Sequence, residues 1–158
     1  MTGHLVLATL HTNDAAGALT RLVDMGVEPY LVASSVIGVV AQRLVRKLCP
    51  HCKEPYRLPE DDPQRLALSL PPGEILLYRA VGCRHCDHKG YRGRTALFEI
   101  LVVDRTIREL VVRRASTEEI RDAAVAGGMR RLIEDGIEKV LAGETSLEEV
   151  LRVAYTTE

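Results

Sequence analysis

Residues 49–52 read CPHC and residues 83–86 read CRHC, and these two runs hold all four cysteines of the chain. Two C-x₂-C pairs set apart by residues 53–82 fit a tetrahedral four-thiolate site. Each pair folds into a tight knuckle, and two knuckles bring four sulfurs to ~2.3 Å from one Zn²⁺. Cys49, Cys52, Cys83 and Cys86 are therefore the candidate metal ligands. With four protein ligands no coordination position is left for water, so the expected role is structural. Binding of this kind contributes on the order of 10 kcal/mol to folding. The spacing also admits iron. A disulfide framework or a redox pair fits less well, because the chain has core enough without cross-links and the pairs sit in loops rather than at helix N-termini. His51, His85 and His88 lie in or beside the knuckles and read as exposed loop histidines.

The segment around the cysteines differs from the rest. Pro50, Pro55, Pro59, Pro63, Pro71 and Pro72 crowd it, with Gly73, Gly82, Gly90 and Gly93. It reads as a loop-rich insert with a short helix near 62–69 and a strand at 75–79. So little apolar material needs a staple, which the metal supplies.

Upstream, HLVLATLH (4–11) is a short apolar run bounded by Gly3 and by Thr12-Asn13-Asp14, the pattern of a buried strand. Asn13 or Asp14 can cap the helix that follows, and Gly26 suits its C-terminal end. Pro29 opens a second helix. Leu31, Val32, Val36, Ile37, Val40, Ala41, Leu44 and Val45 recur at spacings of three and four, which predicts one helix with a buried stripe as far as Val45 and with Arg43, Arg46 and Lys47 in its last turns. Downstream, RTALFEILVV (94–103) reads as a strand. Helices are expected near 104–114, 117–126, 129–142 and 146–154. Ser116-x-x-Glu119 and Thr145-x-x-Glu148 fit capping boxes, and Gly127 and Gly143 fit helix ends.

The formal net charge is −1 and 46% of residues are hydrophobic, so nothing global draws the chain to nucleic acid or membrane. No apolar run reaches the ~20 residues of a membrane span. The start lacks a secretory pattern, so reduced thiols and a cytoplasmic setting are expected. Residues 43–57 and 79–94 carry ten Lys and Arg against Glu54 and Asp87. That basic patch raises a nucleic-acid reading, but Trp is absent and Phe occurs once, leaving little for base stacking. A charged rim paired with acidic neighbours is favoured, and no nucleic-acid partner is expected.

His4 and His11 stand seven residues apart. On a strand that spacing puts them on opposite faces, and they lie at opposite ends. His11, followed by Thr12 and Asn13, falls at the carboxyl end, where ligands bind in open α/β sheets. From spacing alone a structural histidine at a capped strand end is the simpler reading. No G-x-x-x-x-G-K-[ST] run occurs anywhere, so the chain carries no P-loop to cradle phosphates.

The run TGHLVLATLHTNDAAGALTRLVDMGVEPYLVASSVIGVVAQRLVRKLCPHC closely resembles the histidine-box region of bacterial secretion ATPases, the GspE/PilB-type motors of type II secretion and type IV pilus assembly. The tetracysteine insert, the strand GYRGRTALFEIL and the C-terminal helices match too, and the likeness extends from Thr2 to the end. Retraction-type motors usually lack the four cysteines, which points to the assembly or secretion branch. The resemblance implies a hexameric motor with a RecA-like core that hydrolyses ATP with Mg²⁺. It implies that His11 faces the nucleotide phosphates, with His4, Thr12 and Asn13 close by. It implies that Cys49, Cys52, Cys83 and Cys86 are zinc ligands. The expected partners are the other subunits of a homohexamer and an inner-membrane platform protein. The expected place is the cytoplasm at the inner membrane, with no span of its own.

The fold expected is an α/β fragment: partial RecA-like core strands, a loop-rich four-cysteine zinc subdomain and a C-terminal helical bundle. Its divisions are 1–48, 49–94 and 95–158. In this reading the chain is the C-terminal piece of an ATPase, and it is inactive alone because the P-loop lies elsewhere. The competing reading is a stand-alone zinc module that binds a protein or nucleic-acid partner.

Overall fold

A computed structural model of the chain describes residues 3–68 and 70–154. Helices and short strands form two compact units, Met1–Ala41 with Ile100–Met129, and Gln42–Glu99 with Arg130–Glu158. The architecture is mixed α/β.

The first unit is mainly helical. Helix α1 (Ala15–Asp24) starts at Asp14, whose carboxylate accepts the Gly17 N–H at 2.8 Å, and it ends before Gly26 at φ 95°. The expected cap and the expected terminating glycine are both in place, since each is a local matter of unpaired helix-end groups. Helix α2 (Pro29–Ser35) is short. Helices α4 (Arg105–Val112) and α5 (Thr117–Ala126) follow from Asp104 and Ser116, and the Ser116–Glu119 capping box is formed in both directions. The chain leaves α5 through Gly127, and the left-handed position falls one residue later, on Gly128 at φ 100°. Leu19, Val32, Leu101, Ile107, Val111 and Ile120 are almost fully buried in the core of this unit.

The expected long second helix does not form. After α2 the chain turns into strand β1 (Gly38–Leu48), which pairs with β4 (Tyr91–Val102). Exposed and half-buried residues alternate from Gly38 to Leu44. The run VIGVVAQRLV fits a helical stripe and a two-sided strand equally well, but β-branched Val36, Ile37, Val39 and Val40 around Gly38 favour extended backbone. Arg43, Arg46 and Lys47 therefore lie on a strand rather than at a helix end.

The expected opening strand is also absent. Gly3–His11 carries no regular structure, and Leu5, Val6 and Leu7 are exposed at 74, 77 and 90%. A strand is held by its ladder, and among the described residues the only sheets are β1–β4 and β2–β3. The partial core strand of the sequence reading is not formed here.

The second unit holds the insert. Strands β2 (Glu54–Leu58) and β3 (Ile75–Arg79) pair antiparallel, from Glu54 opposite Arg79 to Leu58 opposite Ile75. β3 and the short helix α3 (Pro63–Ala67) lie where the sequence placed them, although Ser69, the expected last residue of that helix, is outside the described residues. β2 was hidden among prolines. The insert is also less bare than its composition implied. Leu58, Leu68, Leu70, Ile75 and Leu77 are buried with Val45 and Leu97, and with Val140 of α6 (Leu132–Leu141) and Leu147 and Val150 of α7 (Leu147–Ala154). Buried Arg65 donates to the carbonyls of Leu58 at 3.3 Å and Pro71 at 2.7 Å and to that of Gly73, closing the proline-rich loop.

Candidate functional site

In the second unit, β1 ends at Leu48 and delivers Cys49. The Cys49 carbonyl then accepts N–H groups from Cys52 at 3.3 Å and Lys53 at 3.0 Å, which curls the chain into a knuckle. The second knuckle repeats the pattern. The Cys83 carbonyl accepts from Cys86 at 3.1 Å and His88 at 2.9 Å, and the Cys86 carbonyl accepts from Lys89 at 3.0 Å. Asp87 and His88 take positive φ, 50° and 59°, as does Gly90 at 75°. A bond from the Cys49 N–H to the Gly90 carbonyl, 2.9 Å, ties one knuckle to the other.

The result gathers four sulfurs within 4.8 Å of one another. Cys49 and Cys83 are 3.9 Å apart, Cys52 and Cys86 3.8 Å, Cys83 and Cys86 3.9 Å. A tetrahedron with metal–sulfur bonds of ~2.3 Å has edges of about 3.8 Å. Disulfide sulfurs lie at ~2.05 Å, and all four cysteines are free. Backbone N–H groups point at the sulfurs, from Gly82 to Cys52 at 3.3 Å and from Cys83 and Gly90 to Cys86 at 3.2 Å each. Such donors favour thiolate over thiol. Burial pushes the Cys86 thiol up, but N–H donation from Cys83 and Gly90, with the neighbouring sulfurs, outweighs it and lowers the pKa to about 6. Burial pushes Cys52 up to about 12 against the Gly82 N–H. The cluster could hold a metal ion, and its spacing and donor set fit one.

The knuckle histidines stay outside it. His51 and His85 are exposed and stack on each other with ring centres 4.2 Å apart, and His88 is exposed too. The sequence pointed to the cysteines and, in DHKGYRG (87–93), to the glycines that the second turn needs, but not to Gly82. A Cβ on Gly82 would come within 2.6 Å of the His88 carbonyl oxygen, and one on Gly90 within 2.6 Å of the Ala80 Cβ.

The histidine segment belongs to the first unit. His4 and His11 are exposed, and Thr12 and Asn13 line an open polar cleft of about 330 Å³ with Asp14, Thr20, Arg21 and Arg121. Asp14 and Arg121 form an ion pair there at 2.5 Å that spacing could not reveal. Of the basic patch, Arg46 pairs with Glu149, Arg57 with Glu74 and Arg79 with Glu54.

Residues 1–152 match the family model for type II/IV secretion system proteins. The chain belongs to this family. It is 51% identical over 153 residues to a type II secretion system ATPase E of Vibrio cholerae, across 97% of the chain and 30% of that relative. It is 53% identical to a type II secretion system protein E of Pseudomonas aeruginosa, across 97% and 30%. A type IV pilus assembly ATPase PilB of Thermus thermophilus is 51% identical across 96% of the chain and 17% of its own length. The chain thus spans about a third or less of these curated secretion-family relatives. Among the described residues no helix is long and apolar enough to cross a membrane.

Proposed function

We propose that this chain is the C-terminal portion of a hexameric ATPase that drives type II secretion or type IV pilus assembly, and that its four cysteines hold one Zn²⁺. The observation that carries the reading is the likeness, near half identity over almost the whole chain, to relatives named as ATPases of those two machines. In this reading residues 1–48 complete a RecA-like nucleotide core, 49–94 form the zinc insert, and 95–158 return to the core and end in helices. Cys49, Cys52, Cys83 and Cys86 would hold the zinc, which pins one knuckle to the other and leaves no position for catalytic water. His11 faces the phosphates of ATP, with His4, Thr12 and Asn13 nearby. ATP and Mg²⁺ are held mainly outside this chain, which has no P-loop run. The partners are neighbouring subunits and a platform protein of the inner membrane, met from the cytoplasm.

Elemental analysis of the purified chain should give about one zinc per chain and little iron. A folded, metal-free chain would overturn the zinc assignment. The chain alone should release no phosphate from ATP above background. In the intact ATPase, His11→Ala should cut turnover strongly and leave nucleotide affinity within several-fold, while His4→Ala should do less. Equal, mild losses would return His11 to a structural role.

A further inference from the structure

Asp14 is the last residue before α1 and the point where the exposed segment Gly3–His11 meets packed structure. Ala15 and Ala16, immediately after it, are fully buried. Its carboxylate is held from two sides. Oδ1 accepts the Gly17 N–H at 2.8 Å, and Oδ2 accepts from the Arg121 Nε at 2.9 Å and from its terminal guanidinium nitrogen at 2.5 Å. Arg121 lies on α5, one turn beyond Thr117, whose hydroxyl shares a 2.8 Å hydrogen bond with Thr20 of α1. On the other side of Asp14, the Thr12 hydroxyl donates to the Asp14 carbonyl at 3.1 Å. A short chain of bonds thus runs from α5 through Asp14 to the residue next to His11.

The fit at Asp14 is close. A Cβ on Gly17 would lie 2.8 Å from Asp14 Oδ1. The absent side chain is what lets the carboxylate sit over the first turn. Beside the pair is the open cleft rimmed by Thr12 and Asn13, so hydrogen bonds rather than packing set the direction in which the segment leaves the helix.

We propose that Arg121 is a positioning residue for His11. By fixing the Asp14 carboxylate it fixes the entry to α1, and with it the direction of the segment that carries the histidine to the phosphates. The inference rests on the phosphate-facing reading of His11. Arg121 touches no nucleotide in this scheme. A charged, forked donor is needed because the carboxylate must serve the cap and the arginine at once.

The test is steady-state hydrolysis in the intact ATPase that carries this chain, with melting temperature recorded for each variant. Arg121→Ala should lower kcat about tenfold with KM within about threefold, the size expected when a group is misplaced rather than lost. Arg121→Lys should recover part of the loss. Asp14→Asn, which retains a good cap but not the charge, should match Arg121→Ala, and the double variant should be no worse than the poorer single one. Gly17→Ala is the decisive variant. Its Cβ displaces the Asp14 carboxylate, so kcat should fall, while the helix propensity that alanine adds roughly offsets the weakened cap, so the melting temperature should change little. This variant also serves if Arg121→Ala fails to fold. Parental kcat in Arg121→Ala or Gly17→Ala, beside a crippled His11→Ala, would overturn the inference and leave the role of His11 intact. Parental kcat in His11→Ala would overturn both.

Discussion

Glu149 is 1% exposed, and it keeps its charge by partnership. Its carboxylate accepts from the Arg46 Nε at 3.0 Å and from its terminal nitrogen at 2.6 Å, and from Arg152 as well. Arg46 in turn lies 4.2 Å over the Tyr91 ring, and the Tyr91 hydroxyl bonds Ser146 at 2.7 Å, at the start of the helix that carries Glu149. Burial pushes the Glu149 carboxyl up, but the bonds from Arg46 and Arg152 more than offset it and hold the pKa below the ordinary carboxylate value. A carboxyl lowered in the folded state contributes stability above its unfolded pKa, and that contribution is lost as pH falls through the folded value. Glu149→Gln should therefore cost about 1–3 kcal/mol at neutral pH and flatten the fall in melting temperature below about pH 5. Thermal unfolding from pH 3 to 7 checks this, and parallel curves would sink it. A second single-residue prediction concerns the knuckles. Gly90→Ala meets both a clash with Ala80 and a positive φ. Gly93→Ala has the same sign of φ, 79°, and open space around it. If backbone approach is what the sulfurs need, Gly90→Ala should speed metal loss to a chelator by at least about tenfold, and Gly93→Ala by far less.

At the scale of elements, what was legible in the sequence was what is decided locally. Asp14, Ser116, Gly26 and Gly143 mark helix ends because unpaired N–H and C=O groups there need a cap or a left-handed residue within a turn. One cap was displaced. Ser146, not Thr145, accepts from the N–H three residues on, at 3.2 Å, while the Thr145 hydroxyl donates to the Arg46 carbonyl at 2.7 Å. That partner lies far away in sequence, and nothing local could announce it. The same holds for β1: its strand state is settled by pairing with β4, and the run 36–45 offers the helical and the extended period together. Close packing of elements was equally hidden. Gly136, inside α6, reads as a mild weakness of a helix. In the structure its Cβ would lie 2.5 Å from Val150 Cγ1 on α7 and 3.3 Å from Leu97 Cδ1. Gly136→Ala gains about 1 kcal/mol of helix propensity and incurs about 1–3 kcal/mol of overpacking. Overpacking should win, and the urea midpoint should fall. A midpoint that rises would mean α6 and α7 can part at no cost.

At the scale of the molecule, each unit has its own buried cluster, and all four cysteines lie in the second unit. The cysteine spacing made the four-sulfur cluster the most legible feature of the chain. What composition did not show was the apolar support of the insert: Leu58, Ile75 and Leu77 are buried against α6 and α7 residues far along the chain. Metal removal should therefore loosen the molecule in steps. In the zinc reading the knuckles are pinned by their four sulfurs, so amides in Cys49–Lys53 and Gly82–Gly90 should lose protection first, roughly 100-fold. The β2–β3 pair, buried on one side and closed by Arg65, should lose less. Helices α1, α4 and α5, held by a core that contains no cysteine, should change by less than about threefold. Hydrogen exchange read by mass spectrometry, with and without a chelator, separates these cases. Cys83→Ser should reproduce the chelated pattern, since three thiolates hold the ion poorly. Equal loss in both units would show that they unfold together and that the metal sets the stability of the whole chain. A graded loss would show that it sets the shape of one end of one unit.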